Sequence, residues 1–418
     1  MSNLTILISN ASSCLSNPSS PTQARKAANN ALQNLWTRDA NTLIQSVNTI
    51  LTDNNYDIQT KFHSLIAVRE LFLRRHQELS SQLLQPTLSF LLTGLFNSNT
   101  NTTPATITRT LTQTVAVLLK LSLLQQQQPL LTQVLQMTPP STTQLNILVN
   151  LLQQLSRPHG GLTLEIHEQC HTKFMGNYLN RAMEIAVTVV SQISNNNNNN
   201  NTNASSSSQE LISIGLKVLS EVLGWDFKYH GSTTITSTKP KLQPPLSWRS
   251  SIIAIGAVLI QQRDAMSMTQ ESELRVIDDC LLNLSGAHGD IFQQPDSQAL
   301  FVNNLLRGVM HVTRDVEAVH MSSEIIQRAL THSSVAVLSL LPNNGDVLLS
   351  IFNMMHTSLQ SLGTSLSSGA SLEDVDLLGR GIDNMLSCLA QMLIKLQSKK
   401  ARIHQAGGED DPMRMVRI

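Results

Sequence analysis

The sequence predicts an all-α fold, an α-solenoid in which helix pairs stack into a superhelix. Three observations predict it. Leucine dominates the apolar residues of a 418-residue chain that is only 4% aromatic, a bias that suits helices better than strands. Apolar residues recur at i, i+3, i+4 and i+7 along most of the chain, and no segment alternates with the period of two of a half-buried strand. Helix, short polar break and helix follow one another, with equivalent helices roughly 40 to 50 residues apart.

Residues 1–20 are read as a flexible N-terminus. A first helix over 22–36 follows Pro21, which can start it, and carries Ala24, Ala27, Ala28, Ala31, Leu32 and Leu35 in a stripe. The next, over 39–51, puts Leu43, Ile44, Val47, Ile50 and Leu51 on one side. Over 57–75, Ile58, Phe62, Leu65, Ile66, Phe72 and Leu73 share an arc, with His63, Glu70 and Arg74 opposite. A helix over 78–96 follows. After Pro104 come Val115, Leu118, Leu119, Ser122 and Leu123, and then Leu145, Leu148, Val149, Leu152 and Leu155. Leu219, Val222 and Leu223 end in a stop at Gly224, with Trp225 and Phe227 beyond it. Trp225 and Trp248 each stand beside a segment boundary and are expected to pack between helices. Further helices are predicted over 247–262, 270–286, 297–313, 321–340, 345–361 and 372–399. The last has the best stripe of all: Ile382, Met385, Leu386, Leu389, Met392, Leu393 and Leu396.

Low-complexity runs interrupt this pattern. Gln125–Gln128, Asn195–Asn201 and Ser205–Ser208 cannot bury apolar surface, and they are expected to be disordered, as is the tail from Gln405. The Thr, Lys and Pro-rich region from Tyr229 to Pro245 is expected to loop out. The resulting division is 21–124, 125–194, a loop at 195–208, 209–315, 316–404 and a tail at 405–418. The repeat spacing is that of HEAT or armadillo helix pairs. Such pairs bury their faces on their neighbours.

Composition narrows the function. With 29 basic and 29 acidic residues there is no global field to attract nucleic acid or acidic lipid. No basic patch is interleaved with aromatics, so no nucleic-acid partner is expected. Cys14, Cys170, Cys280 and Cys388 lie far apart and read as reduced thiols of cytosol or nucleus. The N-terminus lacks the basic region and sustained apolar core of a secretory leader. The longest apolar runs, such as Ile252–Ile260, are too short to span a bilayer, so no membrane insertion is expected.

The residues with chemical potential are few. His167-Glu168-Gln169-Cys170-His171 matches H-E-x-x-H, in which two histidines one turn apart hold zinc and the glutamate acts as base. No third histidine follows at the spacing that the extended motif needs, and Glu184 stands in no second ligand motif. The expectation is therefore a solvated helix face with no metal, and Glu168 is not expected to be catalytic. A zinc peptidase remains only a distant third reading. Gly160-Gly161 reads as an interhelical turn, and His288-Gly289-Asp290 as a helix C-cap rather than a catalytic pair. Arg69, Arg74 and Arg75 are the densest basic cluster. Arg69 sits inside the apolar arc, so its head is expected to pair with a neighbouring repeat, and Arg74 to lie on a solvated face, an acidic partner surface being the second reading. No catalytic, cofactor or metal residue is assigned.

One ordered series of short words carries a resemblance. Leu223-Gly224-Trp225-Asp226-Phe227, Leu246-Ser247-Trp248-Arg249, Asp264-Ala265-Met266, Leu284 through Phe292, Ser297-Gln298 and Gly308 resemble a region of the exportin-4/exportin-7 branch of the importin-β (karyopherin) family. Pro21 to Leu124 is similar to the N-terminal helix pairs of that wider family, with Phe62 to His76 similar to an outer helix of the second repeat. Residues 125–208 and those after 320 match only in helical character. The resemblance implies a nuclear export receptor that shuttles between nucleus and cytoplasm. Its partners would be a folded protein cargo, a Ran-type small GTPase in its GTP form and the Phe-Gly repeats of the nuclear pore. Family members are much longer, so this chain resembles an N-terminal portion. The GTPase is then expected on the first helix pairs, with inner helices at about Asp39–Leu51 and Glu78–Phe96. The alternative is a helical scaffold unrelated to transport.

Overall fold

A computed structural model describes residues 3–79, 81–97, 104–126, 128–157, 162–197, 206–225, 246–265, 271–286, 292, 294–310, 316–341, 344–368 and 371–405. Among the described residues there are eighteen α-helices and no strand. The fold is all-α. In chain order the helices are α1 (Asn3–Ser16), α2 (Thr22–Gln33), α3 (Ala40–Thr52), α4 (Ile58–Arg75), α5 (Ser81–Asn97), α6 (Ala105–Ser122), α7 (Pro129–Gln136), α8 (Thr142–Ser156), α9 (Leu164–Asn177), α10 (Leu179–Asn197) and α11 (Ser206–Leu223). They continue as α12 (Arg249–Ala265), α13 (Glu271–Ser285), α14 (Pro295–Met310), α15 (Val316–His332), α16 (Val335–Leu340), α17 (Asn344–Ser368) and α18 (Leu372–Gln405). Short 3-10 turns cover Leu35–Thr37 and Leu246–Trp248. No described helix is long and apolar enough to cross a membrane.

The chain divides into two compact units. One takes in the residues up to 185 and 206–222; the other takes in 186–197, 223–225 and those from 246 on. In the first unit most helices up to α8 pack on a sequence neighbour and on the next helix but one. One row runs α4, α6, α8 and a second runs α3, α5, α7, with α5 and α6 in contact between them. In the second unit α12, α14 and α17 form one row, and α13, α15 and α18 the other. Contact at every second helix is the stacking pattern of helix-pair repeats.

Local chemistry sets the helix starts. Asp39 accepts from the backbone N–H of Thr42 at 2.8 Å to open α3, and Asp57 accepts from that of Thr60 at 2.6 Å to open α4. Ser141 and Gln144 form a reciprocal capping box at α8. Ser334 caps α16 by accepting from Val337 N–H at 3.3 Å, which is why the single helix expected over 321–340 is two helices, broken at residues 333–334. In the second unit α14 approaches α12 closely at Gly308. A Cβ there would stand 2.2 Å from Ile260 Cγ2, so only glycine fits.

Several expectations are corrected. The segment expected to be flexible, 1–20, contains helix α1, whose Thr5, Ile8, Ala11 and Ser12 are buried where it packs on α2, α3 and α4. Its hydroxyls and asparagines hide the stripe from a hydropathy reading. Gln125 and Gln128, expected to be disordered, are placed and bonded. Gln85 Nε2 donates to Gln125 Oε1 at 2.7 Å, and the Tyr178 hydroxyl donates to Gln128 Oε1 at 2.9 Å. The loop expected over 195–208 is narrower than its composition suggests, since α10 continues to Asn197 and α11 begins at Ser206. Residue 405, expected in the tail, ends α18. The region 229–245, the pair Gly160-Gly161, the triplet His288-Gly289-Asp290 and residues 406–418 lie outside the described residues.

Burial differs from the predicted stripes in two instructive ways. In α6 nearly every residue from Thr110 to Ser122 is buried, because α4, α5, α7 and α8 surround it. Thr110, Thr112 and Thr114 tolerate this because each hydroxyl donates at 2.8 Å to a carbonyl one turn earlier. In α18 the strip that packs on α15 and α17 is narrow. Ile382, Met385 and Met392 are buried, while Leu386 and Leu393 from the same predicted stripe are about half exposed, at 49% and 56%.

Candidate functional site

The helices expected to form a docking face are present with nearly the expected bounds, α3 at Ala40–Thr52 and α5 at Ser81–Asn97, and they pack on one another. Neither contains a charged residue. Their apolar sides, Leu43, Ile44, Val47 and Ile50 on α3 and Leu84, Leu88, Leu91 and Leu95 on α5, are buried. What α3 offers to solvent is Asn41, Thr42, Gln45 and Thr49; α5 offers Gln82, Ser89, Thr93 and Asn97. This face can recognise a partner through amide and hydroxyl hydrogen bonds, with little Coulombic steering.

A cleft of about 590 Å³ opens at one end of that face, lined by the ends of α3 and α5 and the beginnings of α4 and α6. Leu91, Ile107 and Leu111 give it an apolar floor; Tyr56, Ile58 and Phe90 stand on its walls. Among the described residues that line it, Lys61 alone is charged. Gly94 lies on the cleft, and a Cβ built there meets no atom within 4 Å.

The basic cluster is engaged by the chain itself. Arg75 Nη1 donates to the Arg38 carbonyl at 2.9 Å and Nε to Glu78 at 2.9 Å. Arg74 pairs with Glu70 at 3.1 Å, and its guanidinium lies 5.0 Å over the Trp36 ring. Together they staple the end of α4 to the turn at 35–37. Arg69, expected to reach a neighbouring repeat, instead has its Nε 4.0 Å from Glu70 on its own helix.

The largest correction concerns the HEQCH motif on α9. It is not a solvated face: His167, Cys170 and His171 are buried. They pack against the end of α6, where Lys120 is also buried. Lys120 Nζ donates to the Gln154 carbonyl of α8 at 2.6 Å and lies 2.9 Å from His167 Nδ1, while Cys170 Sγ donates to the Lys120 carbonyl at 3.3 Å. Burial pulls Lys120 down to about 8. Burial and then the Lys120 charge pull His167 down to about 4, and burial pushes the Cys170 thiol up to about 11. A thiol held protonated is inert. A cation against His167 Nδ1 is the opposite of a zinc site's surroundings, and among the described residues no group of three His, Cys, Asp or Glu is placed to hold a metal ion. The cluster ties α6, α8 and α9 together. Sequence reading missed Lys120 because a single lysine in the last turn of a helix reads as its solvent side.

Trp225 and Trp248 are buried at 3% exposure each, as expected for inter-helix packing. Arg263 and Asp278 form a buried ion pair between α12 and α13, and Arg263 Nη2 also donates to Ser322 Oγ of α15 at 2.9 Å. Nothing in the sequence pattern singled out that pair.

The fold defines a helical-repeat protein, with helix contacts at alternating positions along the chain. No family model matches the chain. Among solved structures it is similar to Kap95 from a Kap95:Nup1 complex, with a TM-score of 0.30 and 10% identity over 97% of this chain and 69% of that one. It is also similar to Kap95p from a structure in which Kap95p binding induces the switch loops of RanGDP to adopt the GTP-bound conformation, with a TM-score of 0.29 and 10% identity over the same shares. At that level of superposition neither likeness bears on what this chain does, which rests on its own residues.

Proposed function

We propose that the chain is a nuclear transport receptor of the karyopherin type, in the export branch, or the N-terminal part of one. The observation that carries this reading is the ordered series of words between Leu223 and Gly308 that resembles the exportin-4/exportin-7 branch. Its described members are the residues on which helix positions depend: Trp225 and Trp248 fill the core, and Gly308 lets α14 meet α12. The stacked helix pairs support it, since such stacks present long surfaces to large protein partners. In this reading the chain moves between nucleus and cytoplasm, has no enzymatic activity, and binds a Ran-type GTPase in its GTP form, a folded cargo and the Phe-Gly repeats of the pore.

The GTPase is assigned to the face of α3 and α5 and the cleft beside it. The test is to titrate the chain with Ran loaded with GTP and with GDP. Tighter binding of the GTP form, weakened at least 10-fold by Gly94→Leu, is the expected result. Leucine at 94 enters open space on a helix and replaces a residue of low helical propensity, so it leaves the fold intact. Because α3 and α5 are uncharged, this affinity should change little between low and high salt. Equal affinity for both nucleotide forms would favour the second reading, a helical scaffold with no part in transport.

A further inference from the structure

We propose that the junction of α6, α8 and α9 is an acid-sensitive latch, in which protonation of His167 sets a second cation against the Lys120 ammonium and releases α9. The inference rests on geometry and does not depend on the transport reading. Lys120 Nζ stands 2.9 Å from His167 Nδ1, and both side chains are sealed from solvent. At neutral pH the contact is favourable, because the ammonium donates to the ring's lone pair and the ring proton sits on Nε2. A protonated ring has no lone pair at Nδ1. It would place N–H against N–H and two positive charges within van der Waals contact.

Among the described residues the groups on the neighbouring helices are as follows. From α8 the group facing Lys120 is the Gln154 carbonyl, and α8 contains no ionisable side chain. Gln154 lies in the last turn of α8, where carbonyls have no helical donor, and the lysine supplies one. From α9 the titratable groups are Glu165, His167, Glu168, Cys170, His171 and Lys173, of which Cys170 bonds the Lys120 backbone. Helices α5 and α7, which also flank α6, have no ionisable side chain. Helix α4 carries Lys61, His63, Arg69, Glu70, Arg74 and Arg75, and α11 reaches α8 through Glu221, which accepts from Gln153 at 2.9 Å.

The sign follows from linkage. His167 protonates at about 4 in the folded chain and at its ordinary 6.5 once α9 is out. The open form therefore binds more protons between those values, and closure weakens as pH falls through that window. The open population of α9 should rise about 20-fold between pH 7 and pH 5.

The test is amide hydrogen exchange on the whole chain at both pH values, corrected for intrinsic rates. Exchange across 164–177 should accelerate about 20-fold more than across α3, and His167→Gln, which keeps an acceptor for Lys120 but cannot be protonated, should remove most of the excess. Lys120→Met, which removes the opposing cation, should also reduce it and gives a second reading should the glutamine variant fold poorly. Equal acid response of α9 in the wild type and in either folded variant would overturn the proposal, as would acceleration no greater in α9 than in α3.

Discussion

Lys120 in the last turn of α6 and Arg263 in the last turn of α12 are both sealed from solvent, yet their surroundings differ in kind. Both sit where a helix's partial negative end favours a cation. Arg263 is met by a full opposite charge, the Asp278 carboxylate, and by the Ser322 hydroxyl. Lys120 is met by a carbonyl and a neutral imidazole. The difference has a chemical root. A guanidinium keeps its proton at any ordinary pH, so burying it requires a counter-charge. An ammonium can be buried against neutral acceptors because its alternative, losing the proton, lies within reach. The first arrangement needs its counter-charge and is intolerant of losing it; the second stands on neutral acceptors.

That contrast can be broken most severely at Asp278. Asp278→Asn leaves a buried guanidinium without its counter-charge and should cost about 3–5 kcal/mol. Urea denaturation reads this directly, and a loss below about 1 kcal/mol would show that the carboxylate is not what holds Arg263. The double variant with Arg263→Met should recover much of the loss, since it removes the charge along with its partner.

A smaller effect is expected at Lys120, visible as a pH slope. Burial lowers its pKa from 10.5 to about 8, so between those values the unfolded chain holds a proton that the folded chain has shed. Stability from this group therefore rises as pH rises through the window and is lost as pH falls back through 8. The slope should reach about 1.4 kcal/mol per pH unit between pH 8 and 9 and disappear in Lys120→Met. Above pH 9 the buried thiols Cys170 and Cys388, held up to about 11 and about 12, oppose it, which makes the lower unit of the window the one to measure. A wild-type chain whose stability is flat from pH 8 to 9 would contradict the neutral-acceptor account.

The smallest effect belongs to a cation that is not sealed. Arg75 is a quarter exposed and exchanges its bonds to Glu78 and the Arg38 carbonyl for water with little loss. Arg75→Ala should lower stability by about 1 kcal/mol or less, read as a small fall in the thermal midpoint. A larger loss would mean that the staple between α4 and the 35–37 turn sustains the neighbouring packing.

Much of the helix order was legible because period and caps are local. Asp39, Asp57 and Pro104 mark starts that depend on a few neighbouring residues, whereas the short helix from Pro129 was not read from the sequence. What was not legible was which faces are buried. Helix α1 was missed because its buried side pairs Ile8 and Ala11 with Thr5 and Ser12, two hydroxyl residues that read as polar in a hydropathy pattern. The face of the HEQCH helix was misread for the same reason. Two histidines and a cysteine look polar in isolation, and only the approach of Lys120 from 47 residues away accounts for their burial.

By itself the sequence determined the helical class, the absence of strand periodicity, the stacking repeat and the uncharged character of α3 and α5. These depend on residue type and spacing along one helix. The tertiary structure alone decided that α6 is surrounded, that α18 buries only a narrow strip, and that Lys120 and Arg263 are buried with such different partners. Those outcomes depend on which helices meet. Pairing across 34 to 59 residues, as in Lys120 with Gln154 and Arg263 with Ser322, leaves no periodic trace in a single chain.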